Sequence, residues 1–127
     1  MPLVRIDLIR GKPAEYRKTI GEIIYTAMNE LIDVPKDDKF QVITEHPPEE
    51  LNYPESYMGN RYSPGLILIQ ITLSGGRTTA QKQALYKRIA DDLHAQLGVR
   101  RDDVWINLVE VTRDNWSFGG GIAQYVT

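Results

Sequence analysis

Hydrophobic and polar positions along this chain switch between a strand-like and a helix-like period. Met1-Pro2-Leu3-Val4-Arg5-Ile6-Asp7-Leu8 reads as a strand, and Gly11-Lys12-Pro13 stops it and opens a helix, with Pro13 suited to the first helical position, where its missing N–H costs nothing. Tyr16, Ile20, Ile23, Ile24, Ala27, Met28 and Leu31 then recur at spacings of three and four, which predicts one buried face of a helix of about five turns. Asp33-Val34-Pro35 ends it, and Lys39 to Thr44 predicts a second strand. The proline-rich stretch from His46 to Pro64 predicts a long connection, of a length that is usually functional or mobile. Leu66 to Leu73 predicts a third strand, broken by Gly75-Gly76. Thr78 and Gln81 have the spacing of a capping box for a second helix, which turns Leu85, Ile89, Leu93 and Leu97 inward and stops at Gly98. Val104 to Val111 predicts a fourth strand, and Asp114 to Thr127 a short glycine-punctuated tail.

Sliding the chain over itself exposes a repeat. At an offset of 65 residues, Val4 to Glu45 aligns with Ile69 to Glu110 without a gap. Ile6 falls on Ile71, Leu8 on Leu73, Gly11 on Gly76, Ile24 on Ile89, Val34 on Val99, Asp37-Asp38 on Asp102-Asp103, and Glu45 on Glu110. The chain therefore reads as one domain, residues 1–127, with repeats at 2–45 and 66–110, a connecting loop at 46–65 and a tail at 112–127. Each repeat returns its second strand parallel to its first through a right-handed helical crossover. The expected class is α+β: two tandem β-α-β units forming a four-stranded mixed sheet with both helices on one face. The third strand is apolar on both sides, which calls for cover on both, and the chain has no third helix to supply it. Other copies of the chain are the expected cover, making a homo-oligomer.

Composition narrows the function classes. With 42% hydrophobic and 25% charged residues over 127 positions, the chain has the make-up of one soluble domain able to bury a core. A net charge of -2 with scattered Lys and Arg argues against nucleic acid. Zero cysteines remove disulfides, thiolate metal sites and cysteine nucleophiles. No signal peptide or membrane span is expected, so the cytoplasm is the default location and no membrane partner is expected. His46 and His94 lack ligand spacing and read as surface histidines, so no metal is expected. The glycine clusters at 75–76 and 119–121 read as turns, not phosphate-binding loops.

Four features remain. If Met1 is trimmed, Pro2 carries a free secondary amine, a group no internal proline has; an ordinary edge-strand proline is the alternative. Arg77 stands at the junction of third strand and second helix, where guanidinium and helix N-terminus together suit a carboxylate; a solvated loop arginine is the alternative. Asp37 and Asp38 precede the second strand, and their repetition as Asp102 and Asp103 is first explained as a strand-entry feature. Trp116 and Phe118 suit either a pocket wall or subunit packing.

Several segments together resemble the tautomerase superfamily, and within it the malonate semialdehyde decarboxylase-like group. They are Pro2 to Leu8, Val34-Pro35-Lys36-Asp37-Asp38-Lys39-Phe40-Gln41, Gly76-Arg77-Thr78 with Gln81-Lys82, Asp103-Val104, and Asn115-Trp116-Ser117-Phe118-Gly119 through Ala123-Gln124-Tyr125. The resemblance covers nearly the whole chain. It implies a β-α-β fold, a homotrimer, no cofactor, a small carboxylate substrate and catalysis by an amino-terminal proline. It assigns Pro2 as the catalytic amine, Asp38 as its acidic partner, Arg77 as the carboxylate binder, and Trp116 and Phe118 as pocket lining. Two departures stand out. Some members flank a proline with two arginines where this chain has Gly75-Gly76-Arg77, and Met28 and Asn29 occupy the region where related dehalogenases use a histidine.

The implied chemistry turns on one proton. Burial and the Arg77 cation favour a neutral Pro2 amine, whereas Asp38 favours the protonated form. A neutral amine is a general base for keto-enol tautomerisation of a 2-oxo acid such as phenylpyruvate. A protonated one polarises a carbonyl so that a 3-oxo acid loses carbon dioxide, or forms an iminium with it. The expected activity is tautomerisation, with decarboxylation the alternative; a non-catalytic trimeric ligand-binding protein of the same fold is a third reading.

Overall fold

Alternation at the start of the chain becomes β1 (Leu3–Ile9), in which Val4, Ile6 and Leu8 are buried while Arg5 faces out. Pro13 sits just outside α1 (Ala14–Leu31) as its N-cap, one position earlier than expected, and Ile32 closes the helix. Then follow β2 (Phe40–His46), a two-strand hairpin of β3 (Ser56–Tyr57) and β4 (Asn60–Arg61), β5 (Ile67–Ser74), α2 (Thr79–Leu97) and β6 (Val104–Val111). The coordinates are a computed structural model that describes residues 2–126.

The caps of α2 follow its sequence. Thr78 accepts from the Gln81 backbone N–H while the Gln81 side chain accepts from the Thr78 N–H, and Gly98 takes the left-handed conformation at φ 68°. At such a φ a β-carbon is strained, which is why the helix stops on glycine.

The sheet order is β2-β1-β5-β6, with β1 parallel to β2, β5 parallel to β6, and β1 antiparallel to β5. Each parallel pair is one β-α-β unit, and the two units meet at the β1–β5 seam. Helices α1 and α2 lie together on one face. Their Ile20, Ile24, Met28, Leu85, Ile89 and Leu93 close over Val4, Ile6, Leu8, Ile67, Ile69, Ile71 and Leu73 as one core. Full burial of each such side chain is worth about 1.5–3 kcal/mol. The opposite face is bare in the single chain: Phe40 is 52% exposed, Val42 40%, Trp105 43% and Val109 37%.

Two local readings change, and the surface reading of His94 holds. The connection after β2 is not wholly irregular, since residues 56–61 fold into the β3–β4 hairpin, which two-residue strands cannot announce by periodicity. His46 is not a free surface histidine; its Nε2 lies 2.6 Å from Asp7 Oδ1 on the neighbouring strand, half-buried. His94 is exposed, with Nδ1 3.0 Å from the Val99 carbonyl oxygen beyond the helix end. Among the described residues no group of acidic or histidine side chains suited to a metal ion occurs, and no helix is long and apolar enough to cross a membrane.

Candidate active site

Strand register decides which residues share an end of the sheet. Leu3 pairs with Phe40 on β2 and with Thr72 on β5, so one further step brings Pro2 level with Lys39 and Leu73. Asp38 lies one residue before that level on the β2 side, and Ser74 one residue after it on β5. Because β6 runs parallel to β5, with Ser74 opposite Val111, the tail carrying Trp116 and Phe118 leaves the sheet at this same end. Pro2, Asp38, Arg77, Trp116 and Phe118 are thus gathered here from four separated segments. Met1, whose removal would free the Pro2 amine, lies outside the described residues.

Pro2 is buried, and Asp38 is 6% exposed. Apart from Asp103, Asp38 is the one charged or polar residue buried this deeply among the described residues. Burial pushes its carboxyl pKa above the ordinary carboxylate value, opposed by the positive charge of the amino terminus and by Arg77. The Arg77 guanidinium thus acts on this buried carboxyl. The sequence alone gave no reason why the second aspartate of each Asp-Asp pair turns inward; the buried pair Asp38 and Asp103 shows that it does so in both repeats.

Arg77 is not a solvated loop side chain. Its Nε and Nη2 donate to the Ile32 carbonyl at 3.1 and 2.9 Å, and its Nη1 donates to the Ser74 carbonyl at 3.0 Å. The guanidinium thereby stitches the end of α1 to the end of β5. A guanidinium has five N–H donors, and these bonds use three of them, leaving one on each terminal nitrogen. Arg77 also lines a small cleft of about 210 Å³ with Asp33, Gly75, Gly76 and Gln81.

The aromatic tail is anchored from the same strand end. Trp116 Nε1 donates to Ser74 Oγ at 3.1 Å, Phe118 stacks on Trp116 with ring centres 5.5 Å apart, and Tyr125 meets Phe118 edge-on at 5.1 Å. Arg113 lies 4.5 Å above the Tyr125 ring. Ser74 and Tyr125 were not singled out from sequence; the break after Leu73 hid the first, and nothing in the tail's spacing separated the second from other exposed aromatics. Met28, in the helix region where a histidine was looked for, is a core residue at 1% exposure.

A more apolar cleft of about 320 Å³ lies at the far end of the sheet, among Tyr53, Tyr57, Tyr62, Leu66, Leu68 and Trp105. No residue of the Pro2 end contributes to it.

The chain is similar to known proteins over nearly its whole length. Two family models described as tautomerase enzyme match residues 2–55 and residues 38–119. The chain is 41% identical to the probable tautomerase YusQ of Bacillus subtilis (strain 168), over 99% of each chain. It is 32% identical to the probable tautomerase YrdN of the same organism, over 100% of this chain and 98% of the other. Among solved structures, FG41 malonate semialdehyde decarboxylase inhibited by 3-bromopropiolate superposes with a TM-score of 0.89 at 35% identity, covering 98% of this chain and 94% of the other. R7 fused 4-OT, described as a wild-type asymmetric trimer, superposes with a TM-score of 0.76 at 21% identity over 96% of each chain.

Proposed function

The chain belongs to the tautomerase family, and from that premise we propose that it moves a proton between carbon and oxygen of a 2-oxo acid, with Pro2 as the proton carrier. The observation that carries this reading is the Pro2 end of the sheet: a buried proline at the chain start, a buried carboxyl beside it, and a fixed guanidinium that keeps one N–H on each terminal nitrogen.

In the proposed reaction, the Arg77 fork receives the substrate carboxylate and orients the molecule against Trp116 and Phe118. With Met1 removed, the neutral Pro2 amine takes the proton of the enol hydroxyl. The enol electrons fall back to form the carbonyl, and the resulting ammonium returns the same proton to C3. One proton has moved from oxygen to carbon, and nothing is oxidised or reduced. Asp38 stabilises the transient ammonium at the point where that charge develops. Phenylpyruvate, whose ring suits an aromatic wall, is the proposed test substrate.

A second reading has its own support, the likeness to malonate semialdehyde decarboxylase at 35% identity. Here a protonated Pro2 polarises the carbonyl of a 3-oxo acid, the bond to the carboxylate breaks, its electrons pass into the enol, and carbon dioxide leaves. Asp38 favours this protonation state and Arg77 opposes it. The bare apolar sheet face supports assembly of the chain with its own copies, proposed here as a homotrimer; R7 fused 4-OT is described as an asymmetric trimer.

Intact-mass spectrometry of untagged protein first establishes loss of Met1. Ketonisation of phenylpyruvate enol and carbon dioxide release from malonate semialdehyde are then measured on that sample, beside Pro2→Ala and Arg77→Ala. Tautomerisation that collapses in both variants is the expected result. Equal rates in wild type and Pro2→Ala would refute the proline mechanism, and decarboxylation exceeding tautomerisation would select the second reading.

A further inference from the structure

Resting on the reading above, we infer that Ser74 is a positioning residue that sets the distance between the carboxylate-binding guanidinium and the aromatic wall, by holding Arg77 through its backbone and Trp116 through its side chain. The two bonds leave from one residue. The Ser74 carbonyl accepts from Arg77 Nη1 at 3.0 Å, and the Ser74 hydroxyl oxygen accepts from Trp116 Nε1 at 3.1 Å.

Three observations separate this from an ordinary strand-end serine. First, Ser74 is rigidly placed: it pairs with Val111 in the β5–β6 ladder, and the next residue, Gly75, donates its N–H to the Val111 carbonyl at 3.3 Å. Second, the fold does not ask for a hydroxyl here. The equivalent position in the first repeat, 65 residues earlier, is Ile9, which closes the same strand of the other unit with a purely apolar side chain. Third, the bond to Ser74 is the one side-chain hydrogen bond that Trp116 makes among the described residues; the short turn at Arg113–Asn115 ends just before it, and the segment beyond is held by Gln124 bonds and ring contacts within the tail. Through Trp116, the Ser74 hydroxyl orients the stacked Phe118 ring, and the Tyr125 ring that meets it edge-on, relative to the sheet.

Removal of the hydroxyl leaves the Arg77 anchor in place, because that bond uses the main chain. Ser74→Ala therefore isolates the aromatic wall. A neutral hydrogen bond of this kind is worth roughly a factor of 3 to 10 in an equilibrium, and a wall that binds ground state and transition state alike spends that factor on KM. Ser74→Thr keeps the oxygen and suits a strand.

The experiment uses the processed full chain, with phenylpyruvate enol as the probe, and compares wild type, Ser74→Ala and Ser74→Thr. Steady-state kinetics are read together with the indole N–H resonance of Trp116 in a proton–nitrogen correlation spectrum, told apart from that of Trp105 by a Trp116→Phe sample. Ser74→Ala is expected to raise KM about 3- to 10-fold with kcat nearly unchanged, and to move the Trp116 resonance but not that of Trp105. Ser74→Thr is expected to restore both. An unmoved resonance, an unchanged KM, or a kinetic loss that threonine fails to rescue overturns the inference. If wild type does not turn phenylpyruvate over, the proposed reaction fails, and Ser74 is judged by phenylpyruvate titration alone. Weaker binding in Ser74→Ala then supports the positioning role, and equal or absent binding overturns it.

Discussion

Replacement of Arg77 tests two roles that the geometry has fused. The side chain donates three hydrogen bonds to main-chain carbonyls, two to Ile32 at the close of α1 and one to Ser74 at the close of β5. A hydrogen bond contributes about 1 kcal/mol net, and more when the donor is charged, so Arg77→Ala is expected to cost about 3 kcal/mol of stability before any effect on chemistry. Unfolding entropy near 2.1 cal/mol/K per residue gives roughly 0.27 kcal/mol/K for a chain of this length, so the melting temperature should fall by about 11 °C. Arg77→Lys keeps the charge, but one ammonium cannot span two carbonyls and also offer a carboxylate a planar fork. It is expected to recover only part of the stability and little of the turnover. The assay is calorimetric melting at fixed protein concentration, beside phenylpyruvate kinetics at a temperature where both variants are fully folded. A melting temperature within about 2 °C of wild type in Arg77→Ala, against the expected drop, would refute the claim that this guanidinium ties α1 to β5. Full activity in Arg77→Lys would refute the bidentate fork.

Asp38→Asn should stabilise the fold while lowering turnover, because the folded carboxyl has a raised pKa. A raised folded value means that stability from this group is complete below the unfolded pKa and is lost as pH rises through the folded one. The advantage of Asp38→Asn in melting temperature should therefore grow from acid pH towards neutrality and then level off; an advantage that grows on acidification would contradict it. Ser63→Ala should destabilise by about 1–3 kcal/mol, since it strips a hydroxyl donor from the almost fully buried Asp103, and chemical denaturation that shows no change would refute this. Charging the bare sheet face with Val42→Asp should shift sedimentation towards the single chain; an unaltered sedimentation coefficient would mean that this face is not where copies meet.

Much of the fold was legible because its units obey simple periods. Val104–Val111 is a strand in the sequence pattern and in the structure, and Thr78, Gln81 and Gly98 cap α2 as their spacing requires. The 65-residue offset reaches further than backbone. Arg17 pairs with Glu45 at 3.0 Å, and their counterparts Lys82 and Glu110 also form an ion pair. What stayed hidden were properties that no period encodes. Lys39 and Phe40 show nothing of Asp38 being buried just ahead of them, since an Asp-Asp pair at a strand entry is usually a turn feature. Nor did Arg77 show in sequence that its donors reach the Ile32 and Ser74 carbonyls. Ser74, at the seam between an apolar strand and a glycine break, carried no signal apart from the contrast with Ile9.

The duplicated unit has put one buried carboxyl to two uses. Asp103, the counterpart of Asp38, accepts the Ser63 N–H at 2.9 Å and the Ser63 hydroxyl at 2.5 Å, and Arg100 lies 3.3 Å away. Ser63, from the connection ahead of β5, and Arg100, after α2, thus satisfy the second carboxyl, and Ile67 is the repeat counterpart of Pro2. The stoichiometry follows. On the proposed reading, although the architecture is built twice, each polypeptide offers one acidic pocket to an amine and keeps the other shut, so a reagent that alkylates the processed amino terminus should saturate at one equivalent per chain.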